Sequence, residues 1–228
     1  MSKGNTFENE LMLLLFNNTG IALIGDATGV RGSVAAGSLF LALHVTDPGE
    51  AGDQTTGEVA YTGYARVAVA RSGAGFVVTG NSVSPAANQD FGQCTAAPTT
   101  YAYWSVGVAA SGASKILYRG VFGSNLGSFT AIAATDIFTI PGLAGVAVND
   151  NIAFFAPPGD TLPTGITEGT VYFVKTVSGN DITIAATSGG VTIDITTAGK
   201  GRAMRMTPQT VAVSSIPRIP TSSTIVED

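Results

Sequence analysis

The chain has 228 residues, 45% hydrophobic and only 12% charged, which is enough apolar material to bury one large or two modest cores and excludes a disordered tail; 29 glycines and 10 prolines fall short of a collagen triplet repeat. Eleven basic residues against 16 acidic ones, a net charge of -5, leave no basic field for nucleic-acid phosphates or an anionic membrane, so neither is expected as a partner. One cysteine and one histidine cannot together build a zinc site or a disulfide framework, so no metal or cofactor is expected.

The first 20 residues read as a short amphipathic helix. Asn5 stands as the N-cap with Glu8 completing a capping box, Phe7, Leu11, Leu14 and Leu15 share one face, and Asn17, Asn18 and Gly20 stop it. Glu8 and Glu10 lie inside the apolar run and only Lys3 precedes it, which argues against a secretory signal, and the run is too short to span a bilayer. One unpaired cysteine fits a protein made in a reducing cytoplasm.

After the helix, short segments rich in Val, Ile, Thr, Tyr and Phe alternate with turn residues, as in antiparallel sheet proteins. Strands are expected at 39–45, 64–71, 75–79, 101–109 and 115–122. In 64–71, Ala65, Val67 and Val69 point to one face and Tyr64, Arg66 and Ala68 to the other. After about Ala134 the composition shifts, and a second series is expected at 137–140, 152–155, 170–177, 181–186, 191–196 and 203–206, separated by Pro157-Pro158-Gly159-Asp160 and three glycine turns. Pro217, Pro220 and a Ser/Thr cluster make 208–228 an extended arm, suited to lying along a neighbour. The fold class is therefore all-β: an antiparallel sandwich or barrel-like domain at 21–134 behind an N-terminal helix at 1–20, then a second small β domain at 135–207 and the arm.

Candidate chemistry is sparse. Asp47, Glu50, Asp53 and Glu58 form an acidic loop whose spacing is not that of an EF-hand; it reads as solvated, and whether it holds a cation stays open. His44 shares a strand face with Phe40 and Ala42 and has no second histidine, so it is not expected to be catalytic. Cys94, between Gln93 and Thr95, reads as a packing cysteine. Tyr101, Tyr103 and Trp104 span both faces of one strand, so at least one ring should face outward, with Trp104, Val106 and Val108 in the core. There is no G-x-S-x-G, G-x-G-x-x-G or Walker-type loop, and no catalytic residue is assigned.

The stretch LALHVTDPGEAG at 41–52, followed by EVAYTGYARVAV at 58–69, resembles a family of small structural proteins of tailed bacteriophages often labelled tail fibre or virion structural protein. Tyr61, Gly63, Tyr64 and Arg66 match its E-x-x-Y-x-G-Y-x-R segment, Val45 stands where the family has Thr, and the resemblance covers about 5–130. LPTGITEGTVYFV at 162–174 with ITIAATSGG at 182–190 is similar to a small β module of phage virion surfaces. The resemblance implies a virion component assembled in the host cytoplasm, with no enzymatic activity.

Low charge, an apolar helix that must dock somewhere and an arm without a core of its own are features of a subunit covered by neighbours. The expected function is capsid decoration: a cement protein bound to the major capsid protein or other virion proteins as a symmetric homo-oligomer, a trimer by preference. The alternative is a tail or tail-fibre component that binds a host receptor. The expected interface residues are Phe7, Leu11, Leu14, Leu15, Pro217, Ile219 and Pro220.

Overall fold

The computed structural model describes residues 3–25 and 27–227, so the outermost residues of the expected helix anchor and arm lie outside the described set. The chain is all-β with one helix, Asn5–Asn17. None of its described helices is long and apolar enough to cross a membrane.

Gly4, not Asn5, is the N-cap, and no side chain caps the helix; Asn18 ends it in the left-handed region at φ 57°. The buried stripe is Glu8, Met12 and Phe16, one turn apart on a single line. The chain's own core takes this stripe rather than the Leu-rich face: Phe7 is exposed, Leu11 and Leu14 are half-buried, and only Leu15 of those four packs against the core. The reason is aromatic. Phe16 meets Phe76 edge-on at 5.0 Å between centroids and Tyr118 at 5.6 Å, and seating that ring fixes the rotation of a helix whose Leu-rich run offers apolar groups in several directions.

The first unit is built on an antiparallel sheet ordered Val67–Ala70, Ser38–His44, Tyr103–Gly107, Ile116–Val121. Leu41 pairs with Val106 and Leu43 with Trp104, so strand alternation places these groups on one face. That face packs, with Met12, Phe16 and Ile219, against Phe76 and Val83 of a three-stranded sheet, Ile225–Val226, Ser82–Pro85 and Phe76–Thr79. The strand expected from Tyr64 begins only at Val67, because Arg66 is drawn into a buried polar network and Ala65 is exposed.

The second unit is a closed six-stranded barrel ordered Ile137–Thr139, Asp181–Ala185, Tyr172–Ser178, Asn151–Phe155, Gly199–Met206, Gly123–Ile132. Gly123–Ile132 pairs with both Ile137–Thr139 and Gly199–Met206 and so closes the ring; it lies ahead of the compositional shift at Ala134. Closure removes every free edge. Phe129, Phe138 and Phe154 fill the interior with centroids 4.7 to 5.6 Å apart. Room for them comes from small inward residues: a Cβ on Gly201 would stand 3.1 Å from the Phe129 ring and 2.3 Å from the Phe155 carbonyl oxygen. The segment 191–196, expected as a strand, makes only an isolated bridge from Thr192 to Ala185.

The C-terminal arm turns back over its own first unit. Gln209–Val211 pairs with Thr99–Tyr101, Arg218–Ile219 with Gln89–Asp90 and Ile225–Val226 with Ser82–Pro85. Its end is held where Glu227 meets Lys3 at 2.9 Å and accepts from the Tyr118 hydroxyl at 2.8 Å. The expectation of an arm lying along a neighbour is thus corrected: Val211, Pro217 and Ile219 are buried in their own chain, and of the three arm residues assigned to an interface only Pro220 is exposed.

Candidate functional site

On its other face the four-stranded sheet carries Ala42, His44, Ser105 and Gly107, and the loop that follows Ser38–His44 folds over them. His44 Nδ1 lies 2.9 Å from the Thr56 carbonyl oxygen and Nε2 lies 2.7 Å from Ser105 Oγ. Because a carbonyl only accepts, the proton sits on Nδ1 and Nε2 accepts from the Ser105 hydroxyl. Ser105 Oγ in turn accepts from Gln54 Nε2 at 3.2 Å, which also donates to the Phe40 carbonyl at 2.9 Å. Gly107 makes this possible, since a Cβ there would stand 2.1 Å from Gln54 Oε1.

The chain of donors starts at Arg66. Its Nη1 donates to Gln54 Oε1 at 3.2 Å and to the Ala109 carbonyl at 3.0 Å, and its Nε and Nη2 donate to the two oxygens of Glu58 at 2.7 and 2.8 Å. Tyr64 also donates to Glu58, at 2.8 Å, while accepting from the Leu43 backbone. Burial holds the His44 imidazole below its ordinary value, against the pull of the Thr56 hydrogen bond and Glu58. Burial also pushes the Tyr64 phenol up, and the Glu58 hydrogen bonds keep Arg66 firmly charged.

Each matched position of the E-x-x-Y-x-G-Y-x-R segment thereby has a structural task. Glu58, Tyr64 and Arg66 form the clamp, and Tyr61 donates to the Gly92 carbonyl at 2.8 Å. Gly63 sits at φ 103°, where a Cβ would come within 2.1 Å of the Gln93 carbonyl oxygen. Sequence reasoning missed Ser105, which meets His44 from 61 positions away, and Gln54, 10 positions from His44, which reaches it through Ser105; the alternation that put His44 opposite Leu41 and Leu43 was the available signal. His44, Gln54 and Ser105 are completely enclosed, so as folded they hold a loop in place.

The acidic residues of that loop diverge. Asp47 is bound by Arg119 at 2.7 Å, Asp53 accepts from Thr55, and Glu58 belongs to the Arg66 clamp. Among the described residues no three of His, Cys, Asp and Glu gather in one place. Cys94 is buried with Sγ 3.4 Å from the Ala96 carbonyl oxygen. Contrary to the expectation of an outward ring, Tyr101 and Tyr103 are both buried and Trp104 is partly so, whereas Val108, expected in the core, is exposed. The barrel is what covers Tyr103: its hydroxyl donates to the Gly169 carbonyl, and it packs with Ala102, Ala153 and Met206. Arg119 adds a charge link, 3.7 Å from Glu168.

The excursion at 19–37 carries four exposed apolar side chains, while others, such as Val191, are scattered along the chain. It is tied down by the Ile21 to Val30 bridge, by Asn18 contacts to Ser33 at 2.6 and 2.8 Å, and by Arg71, which donates to the carbonyls of Leu14 and Leu15 and to Ser33. Leu23 is nonetheless 81% exposed and Val34 fully so, with Ile24 and Val30 also open. Leu23 adopts φ 63°, a costly conformation for a leucine.

Residues 17–145, more than half of the chain, match the family model described as podophage GP4 fiber I protein gp80. The chain belongs to this family. The matched span of this fibre-protein family begins at the end of the helix and takes in the 19–37 excursion, the histidine clamp, the four-stranded sheet and the first two barrel strands along the chain. Membership makes the protein a virion structural component. No curated protein matches the chain.

Proposed function

We propose that this chain is a non-enzymatic structural subunit of a phage fibre that holds neighbouring virion proteins through the 19–37 excursion and the adjoining helix. The observation that carries the reading is Leu23, 81% exposed at a left-handed φ, beside Ile24, Val30 and a fully exposed Val34. An excursion closed by a single isolated bridge between Ile21 and Val30 has little sheet of its own to stabilise it, and a bulky apolar side chain on a strained backbone gains from being covered. The half-buried Leu11 and Leu14 and the exposed Phe7 extend the apolar surface along the helix. The partners are other virion proteins or further copies of the chain around a symmetry axis, with a trimer as the favoured state. The family's description supports a fibre location over capsid decoration.

The test is incorporation. Leu23→Asp with Val34→Asp leaves both cores untouched, so the variant should fold with native circular dichroism yet fail to enter particles when supplied to phage lacking the wild-type protein. Normal incorporation sinks the proposed face. Copy number on a stained gel separates the two locations, because a shell decoration is needed at every lattice position and a fibre at a few.

A further inference from the structure

We propose that the open groove beneath the C-terminal arm is a binding site for a neutral sugar, with Trp104 as its platform. The groove has a volume of about 280 Å³, close to the lower end of small-molecule sites at about 300 Å³ and so suited to one or two sugar rings. It opens between the four-stranded sheet and the three-stranded sheet that the arm completes. Leu41, Phe76 and Val106 form an apolar floor, Trp104 lies along one side, and Ser84, Ser222, Ser223 and Thr224 form the rim.

Three features select the ligand. First, the indole is held in place: Nε1 donates to the Val121 carbonyl at 3.3 Å, and its cross-strand partner is Gly120, where a Cβ would stand 2.5 Å from Trp104 Cζ2. The glycine leaves space for the ring to lie over the neighbouring strand, and a fixed aromatic surface suits the apolar C–H face of a pyranose. Second, the hydroxyls of Ser84, Ser222, Ser223 and Thr224 have no hydrogen-bond partner among the described residues. Some exposed hydroxyls of the chain are paired with each other, as in Thr100 with Thr210 and Thr176 with Thr183, whereas these four are open to a ligand. Free hydroxyls around an apolar floor match a ligand that is apolar on its faces and polar at its edge. Third, no charged side chain among the described residues lines the groove, so an acidic sugar or a phosphate would find no counter-charge there. The inference stands on the groove and is independent of the fibre reading, and the two are tested by different readouts.

Trp104 is the single tryptophan of the chain, so its fluorescence reports this groove directly. The full-length protein is titrated with methyl α-D-glucopyranoside, methyl β-D-galactopyranoside, D-mannose, L-rhamnose and N-acetyl-D-glucosamine. At least one should give a saturable change in emission, and cyclohexanol, which has the ring without its crown of hydroxyls, should bind more weakly. The rim variant Ser222→Ala, Ser223→Ala, Thr224→Val removes exposed or half-buried groups only and should fold normally while weakening binding about tenfold, as expected for two or three lost hydrogen bonds. Absence of a saturable response to every sugar overturns the inference. So does equal binding of cyclohexanol, or affinity unchanged in the rim variant.

Discussion

Ser105→Ala is the sharpest probe of the clamp under the acidic loop. The hydroxyl is the only partner of His44 Nε2, at 2.7 Å, and one of two acceptors for Gln54 Nε2, the other being the Phe40 carbonyl. Removing it deletes two hydrogen bonds and strands one fully buried acceptor on the imidazole. Gln54 keeps its bond to Phe40, so its share of the loss is small. An orphaned buried polar group costs about 1–3 kcal/mol and each lost bond about 1 kcal/mol, and an alanine in place of a serine leaves almost no cavity. The expected destabilisation is about 2–3 kcal/mol, a large part of the total stability of a domain. Urea unfolding at pH 7.5 with unchanged slope should show it as a lower midpoint. Thr100→Val, at an exposed hydroxyl pair, is the control and should cost under about 0.5 kcal/mol. A Ser105→Ala loss as small as the control would refute the buried relay.

Other outcomes follow from the same geometry. The His44 value is lowered in the folded state chiefly by burial, so the unfolded chain binds more protons below its ordinary value near pH 6.5. Stability is therefore full above that pH and falls as pH drops through the window beneath it, by at most about 1.4 kcal/mol per pH unit; urea midpoints from pH 7.5 to 5 should show this slope, and His44→Gln should lose it. Phe16→Ala empties a fully buried site between Phe76 and Tyr118 and should cost about 3–5 kcal/mol, with the helix becoming the first segment cut in limited proteolysis. Gly63→Ala forces a Cβ toward the Gln93 carbonyl at φ 103° and should cost about 3 kcal/mol. Gly80→Ala, also at positive φ but with open space around it, should cost only about 1–2 kcal/mol; thermal unfolding of the two variants side by side tests whether the close approach is what matters.

The all-β class and most central strands were legible because alternation survives wherever one face is buried, as in Leu39, Leu41 and Leu43. The barrel strand Gly123–Ile132 was not, because Gly123, Ser124, Asn125, Gly127 and Ser128 surround Leu126 and its longest pairing is with Gly199–Met206, far along the chain. Which helix face the chain itself buries was not legible for the opposite reason: four leucines between Leu11 and Leu15 offer an apolar group in almost every direction, and the choice was made by Phe16 against Phe76, a contact between distant positions. The arm shows the same limit. Proline and hydroxyl residues pointed to an extended arm, but only two- and three-residue pairings with Thr99–Tyr101, Gln89–Asp90 and Ser82–Pro85 reveal that it runs along its own chain. His44 could be placed on its strand face from alternation, whereas Ser105 and Gln54 carry no local mark of their role.

The most direct test of the proposed assembly role is the position of this chain in a three-dimensional reconstruction of the intact particle. The account predicts density for it in a fibre, with Leu23 and Val34 covered by a neighbouring virion protein or a second copy. Density spread over the head shell, or a fibre subunit whose 19–37 excursion faces solvent on every side, would contradict it.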